Sequence, residues 1–297
     1  MESNPSTLHS FGCRCARHAR RRFGAGLFAG GALLAAPAWA REGVEVGRKS
    51  AAAGLVSAEQ IEQAAQQEYR QLLQQAAAAG ALAGPGDRQL GRLRAIAQRL
   101  VPHTYEWNER ARLWRWEVNL VKSEKINAFC MPGGKIAFFT AILDTLKLSD
   151  DEVAMVLGHE MAHALREHAR ERIGKNLVTR GTIELGAALF GLGNGGRYLA
   201  GMGGQLLNLS FGRDDESEAD LVGMELAARA GYDPRAGITL WNKMAAASKG
   251  APPEWLSTHP SGGSRIKDIE ANLPKVMPLY ERGPPSSDIS PSVSPGP

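Results

Sequence analysis

Leu157-Gly158-His159-Glu160-Met161-Ala162-His163-Ala164-Leu165 is the stretch from which the rest of the chain is read. Val153, Val156, Leu157, Met161, Ala164 and Leu165 recur at helical spacing. Ser149 with Glu152 three residues on forms a capping box, so a helix begins there, and the pattern runs to about Ile173. Residues four apart share one helix face, so His159 and His163 can present two imidazoles to one metal ion. Glu160 sits off that face, badly placed to share the metal but well placed to reach a water beside it. Two nitrogen ligands, a carboxylate base and an open coordination position describe a zinc hydrolase. Such a short motif also arises by chance, and a helical His is often only a satisfied core or surface residue. A third ligand decides.

The candidates are Glu167, His168, Glu171, Glu216, Glu218 and His259. In a continuing helix His168 points away from His163 and reads as a helix-surface residue. A metzincin-type third His would stand six residues past His163, where the chain has Ala169, with no Gly in between. Glu216 and Asp220 stand at i and i+4, so one carboxylate can bind metal while the other accepts the spare N–H of a metal-bound His. Glu218 lies across the helix from Glu216 and is expected to matter little. The bland alternative for Glu216 and Asp220 is a solvated acidic helix start; beside His-Glu-x-x-His, the His₂Glu pattern is favoured.

Of the 35 basic and 31 acidic residues, five Arg and one Glu fall in residues 1–40, which leaves 30 of each beyond. That balance gives no reason to expect nucleic acid. Arg14, Arg17, Arg20, Arg21 and Arg22, the apolar Phe23 to Ala36 and Ala38-Trp39-Ala40 read as a cleaved export signal over 1–40, with a twin-arginine-like Arg20-Arg21-Arg22-Phe23. The expectation is therefore a periplasmic protein with no stable membrane span after cleavage. Cys130 alone then remains, as a buried strand residue.

Residues 41–86 read as a mobile N-terminus followed by an Ala/Gln-rich helix from Ala58 to Ala79. Residues 87–282 form the main domain. It opens with a helix from Asp87 to Leu100 and strands at Trp114–Leu120, Ile126–Met131 and Lys135–Thr140, the last two joined by a Pro132-Gly133-Gly134 turn. Helices are expected at 141–147, from Asp214 or Asp215 to Ala230, at 235–247 and at 264–272, with a Gly-rich elbow at 191–204 and a disordered Pro/Ser tail at 283–297.

Five ordered motifs then carry a resemblance. They are Ile126-Asn127-Ala128-Phe129 with Pro132-Gly133-Gly134, His159-Glu160-Met161-Ala162-His163, Glu216-Ser217-Glu218-Ala219-Asp220, Gly231-Tyr232-Asp233-Pro234, and Ser257-Thr258-His259-Pro260 with Arg265. Over Leu93 to Leu273 the chain resembles the CAAX-prenyl-protease family of gluzincin zinc metallopeptidases, in its soluble periplasmic BepA- and LoiP-like branch. The resemblance implies one Zn²⁺ per chain held by His159, His163 and Glu216, with Glu160 as catalytic base. It also implies unfolded or misassembled envelope proteins as substrates, and outer-membrane assembly machinery as a partner. The chain lacks the spanning helices of the membrane-embedded members and the helical repeats of the longer periplasmic ones.

The expected fold is therefore α+β and mainly helical, a zincin-like metallopeptidase with a small antiparallel sheet over the active-site helix. The function is metal-dependent endoproteolysis in protein quality control; the rival is a chaperone-like assembly factor that binds the same polypeptides with little cleavage. Ser257-Thr258-His259-Pro260 reads as a loop. There His259 is a surface side chain, a donor that stabilises a developing oxyanion, or a fourth zinc ligand that latches the site shut.

Overall fold

A computed structural model describes residues 41–179, 206–207, 209–248, 253–260 and 264–284. The export signal expected at 1–40, the Gly-rich elbow at 191–204 and the tail from residue 285 lie outside the described residues. All that follows concerns the compact unit Glu42–Pro297.

Where a mobile segment is expected after Arg41, the chain is packed. Val44 and Val56 are buried, and Arg166 donates to the Gly47 carbonyl. Ser57 caps helix α1 (Ala58–Ala78), which buries Ile61, Ala65 and Tyr69 on one side. The Tyr69 hydroxyl donates to the Ile136 carbonyl at 2.6 Å. Asp87 caps α2 (Arg88–Leu100), accepting from the amides of Gln89 and Leu90.

The sheet holds β1 (Glu117–Val121), β2 (Ala128–Met131) and β3 (Lys135–Phe139) in the order β1-β3-β2. The expected antiparallel sheet is mixed instead: β2 and β3 pair antiparallel, but β1 and β3 pair parallel. Only β2 and β3 form a hairpin, turned at Gly133 (φ 86°), whose left-handed backbone suits glycine. The 122–127 connection carries the chain past the position that β3 later fills rather than turning it straight back, so β1 and β2 lie on opposite sides of β3. The outer edge of β1 is covered by Ala81–Ala83, through Ala83 N–H to Leu120 O and Lys122 N–H to Ala81 O. Among the described residues, β2 therefore forms the open edge.

Helix α3 (Thr140–Leu146) ends on the left-handed Lys147, and the capping box at Ser149 and Glu152 starts α4 (Asp150–Leu165). Every residue of α4 from Glu152 onward is buried. It packs along β2 and crosses α6 (Arg213–Arg229) so closely that a Cβ on Gly158 would meet the Gly223 carbonyl oxygen at 2.5 Å. α5 (His168–Thr179) lies between α4 and α6 in the chain. After α6, α7 (Ala236–Ala247), α8 (Glu254–Thr258) and α9 (Arg265–Arg282) complete the fold. α9 runs well past the expected end at Asn272 and contains Pro274 and Pro278. Each proline removes a helix donor, but Val276 and Leu279 on the buried side hold the helix to the core. Among the described residues no helix is long and apolar enough to cross a membrane.

Candidate active site

The helix expected to run from Ser149 to about Ile173 breaks after Leu165. Arg166 caps α4, Glu167 takes a left-handed φ of 64°, and α5 starts in a new direction at His168. His159 and His163 stay on one face of α4, as their spacing requires. His168 does not lie on the surface: it is 1% exposed and its Nδ1 stands 2.8 Å from His163 Nδ1.

The α4–α6 crossing at Gly158 and Gly223 brings Glu216 over the two histidines. His159 Nε2 lies 3.1 Å from His163 Nε2, and the Glu216 oxygens lie 3.5 Å from each of these nitrogens. His259 is not in a loop; it caps the C-terminus of α8. It is buried, with Nδ1 3.0 Å from Glu216 Oε1 and 3.3 Å from His159 Nε2. The ligand atoms of His159, His163, Glu216 and His259 all lie within 4.8 Å of one another.

This set fits zinc. Bonds of about 2.0–2.2 Å at tetrahedral angles place neighbouring ligand atoms about 3.4 Å apart, which matches the separations of 3.0–3.5 Å just given. The protons agree as well. His159 Nδ1 is 3.0 Å from Asp220 Oδ1, so its proton is assigned to Nδ1 and its Nε2 lone pair faces the centre. The nitrogens of His159 and His163 and the Glu216 carboxylate thus form a donor set suited to a cation.

The surroundings reinforce this arrangement. Burial, joined by the neighbouring histidines and Arg265, pushes the His163 imidazole well below its usual range, toward the neutral, ligating form. Burial would raise the Glu216 carboxyl, but the hydrogen bond from His259 and the fields of His159 and Arg265 outweigh it and keep the group ionised. Asp220 is held low in the same way, chiefly by Arg265, whose Nε and Nη2 reach its oxygens at 2.6 and 2.7 Å. Arg265 also reaches Glu216 at 2.7 Å and stacks over Trp241. Glu218, expected to be idle, is engaged: it pairs with Arg166 and lies 3.3 Å from His168 Nε2.

Glu160 is buried beside the histidines, and the Trp255 indole N–H donates to its Oε1 at 2.7 Å. Trp255 also stacks on His259, so the one turn of α8 touches both the base and the metal pocket. A cleft opens from Glu160 and His163 along Asn127, Ala128, Phe129 and Cys130 of the β2 edge. Sequence reasoning missed Trp255 and Phe211, whose ring stacks on His163 at 4.0 Å, and misread His168 as a surface residue. Only the composition of Ser257-Thr258-His259-Pro260, with its flanking Trp255, hinted at the first of these.

Similarity to known proteins follows the same residues. The peptidase family M48 profile matches residues 87–273. The mitochondrial metalloendopeptidase OMA1 of Arabidopsis thaliana is 43% identical over 159 residues, 53% of this chain and 32% of that protein. The Schizosaccharomyces pombe protein of the same name is 38% identical over 166 residues, covering 55% and 48%. The β-barrel assembly-enhancing protease of Yersinia pestis is 31% identical over 169 residues, covering 54% and 35%. The match thus spans between a third and a half of these relatives' lengths. It also overturns the expected periplasmic address, since the relatives of higher identity are mitochondrial proteins. An Arg-rich, acid-poor leader is shared by export signals and organelle presequences, so composition did not separate them. The chain belongs to peptidase family M48, whose profile spans residues 87–273 and with them every residue of the site.

Proposed function

We propose that the chain is a zinc metalloendopeptidase that cleaves unfolded or misassembled polypeptides. His159, His163 and Glu216 would hold the metal, Glu160 is the base and Asp220 orients His159. The single observation that carries the reading is the convergence of His159, His163 and Glu216 from two helices, beside a buried carboxylate that is free of the metal set. When bound, zinc supplies Lewis acidity to water and to the scissile carbonyl. Glu160 takes a proton from the attacking water and returns it to the leaving amine. Trp255 fixes one Glu160 oxygen, which leaves the other for that transfer.

The open β2 edge supports an extended substrate added as a further strand, its backbone satisfied by main-chain hydrogen bonds. Such pairing reads backbone rather than side chains, and a folded protein has few strands to offer; this favours non-native substrates. Two relatives named for enhancing β-barrel assembly point the same way. The rival reading, binding without cleavage, gives Glu160 no task.

Of the readings of His259, burial at 3% exposure argues against the surface one. Its Nδ1, 3.0 Å from Glu216 Oε1 and 3.3 Å from His159 Nε2, is within reach of the pocket, which supports the latch once that nitrogen gives up its proton; the side chain must then withdraw before substrate enters. Digestion of a permanently unfolded casein by the purified chain tests the function. Cleavage should stop with chelator and return with zinc; binding of casein without cleavage under any metal condition would favour the rival.

A further inference from the structure

The two metal-facing histidines are backed differently. Behind His159 stands a carboxylate, Asp220, clamped by Arg265. Behind His163 stands another imidazole. His163 Nδ1 meets His168 Nδ1 at 2.8 Å, His168 Nε2 meets Glu218 Oε2 at 3.3 Å, and Arg166 pairs with the other Glu218 oxygen. The left-handed Glu167 makes this possible by turning His168 back beneath His163. His163, His168 and Arg166 are buried, and Phe211 stacks on the His163 ring with an interplanar angle of 20°.

The proton positions follow from the ends of the chain of contacts. An ionised Glu218 only accepts, so His168 Nε2 donates to it. A neutral His168 then has its lone pair at Nδ1, which accepts from His163 Nδ1–H. That leaves His163 Nε2 with a lone pair directed at His159 Nε2 and Glu216. The opposite His163 tautomer would set two lone pairs against each other at 2.8 Å and aim an N–H into the pocket.

We propose that Glu218 and His168 form a relay that fixes His163 in its Nδ1–H tautomer and aims Nε2 into the metal pocket. His168 is thus a positioning residue, and Glu218 does for His163, at one remove, what Asp220 does for His159. This rests on the reading of His163 as a metal ligand. It replaces the expectations that His168 lies on the surface and that Glu218 matters little.

Zinc affinity of the full chain, measured by competition with a chromophoric chelator, tests the relay, with thermal melts of the metal-free proteins as a folding control. Removing an outer partner of a ligating His typically costs 10–100-fold in metal affinity. His168→Leu should weaken zinc binding by about that factor. His168→Asn should recover most of it, because its amide oxygen stands near the lost Nδ1. Glu218→Ala should cost about 10-fold. A purely structural role would lower the metal-free melting temperature alike for Leu and Asn and leave the affinity of the folded protein unchanged. Wild-type affinity in folded His168→Leu, or an Asn variant no better than Leu, overturns the relay. If His168→Leu does not fold, Glu218→Ala decides: its side chain reaches the surface, and wild-type affinity there overturns the proposal. Glu216→Ala separates the two levels. If it alone loses zinc, the relay fails and the metal site stands; if it too keeps zinc, the metal-site reading fails.

Discussion

The α4–α6 pair and the α8 turn both supply buried side chains to one pocket, yet they are held in opposite ways. α4 and α6 meet backbone to backbone. A Cβ at Gly158 would meet Gly223 O at 2.5 Å, and one at Gly223 would meet His159 N at 2.5 Å. α8 is five residues long and is tied by side chains and single bonds: Trp255 N–H to Ile126 O, Phe211 N–H to Thr258 O, and the Trp255 and His259 rings. The first arrangement cannot shift without losing packing on both helices, which suits ligands whose separations must hold to tenths of an ångström. The second is anchored in the core by the fully buried Trp255 but carries His259 at its end without a backbone-to-backbone crossing, which suits the latch proposed for His259. The proposed metal-holding and latching residues are thus carried by parts of the fold that are packed in different ways.

Three substitutions test that contrast, the largest effect first. Glu216→Ala removes a proposed ligand from the α4–α6 pair and leaves Arg265 without one of its partners. Zinc should be lost under dialysis that leaves the wild type loaded, as read by metal analysis. Gly158→Ala forces the two helices apart; overpacking of this kind costs about 1–3 kcal/mol. A lower melting temperature should come with weaker zinc binding, because His159 is the next residue. A variant as stable as wild type would show that the crossing is looser than the contact distances require. His259→Ala acts on the α8 side alone. It should leave zinc bound and raise the turnover of unfolded casein a few-fold, whereas a fall in kcat at full zinc occupancy would return His259 to oxyanion stabilisation.

The same contrast explains what was legible in the sequence. The α4 start, its buried face and the His159/His163 pairing follow from local rules of capping and period, and the Glu216/Asp220 pairing follows from i, i+4 geometry. These are short-range properties of one chain segment. The break at Glu167 was not legible, because a non-glycine residue in left-handed backbone carries no composition signal. That one residue reverses the role of His168 and brings Glu218 in with it. The parallel β1–β3 pairing was hidden for a different reason: it depends on where a chain segment passes in space, not on its own pattern. Trp255 reaches Glu160 across 95 residues of sequence, and nothing local marks such a contact. The Arg-rich stretch at 1–40 misled on location because charge and apolar length are common to several kinds of targeting segment.

The central claim is that one buried carboxylate performs the proton transfer in a pocket whose metal is held by other residues. Glu160→Gln separates these functions, since the amide keeps the hydrogen bond from Trp255 but cannot take a proton. Zinc content and casein cleavage should be measured on the same preparation of wild type and Glu160→Gln. We predict about one zinc per chain in both, with cleavage by the variant at least about 10²-fold slower. A zinc-loaded Glu160→Gln protein that cleaves at the wild-type rate would contradict the account.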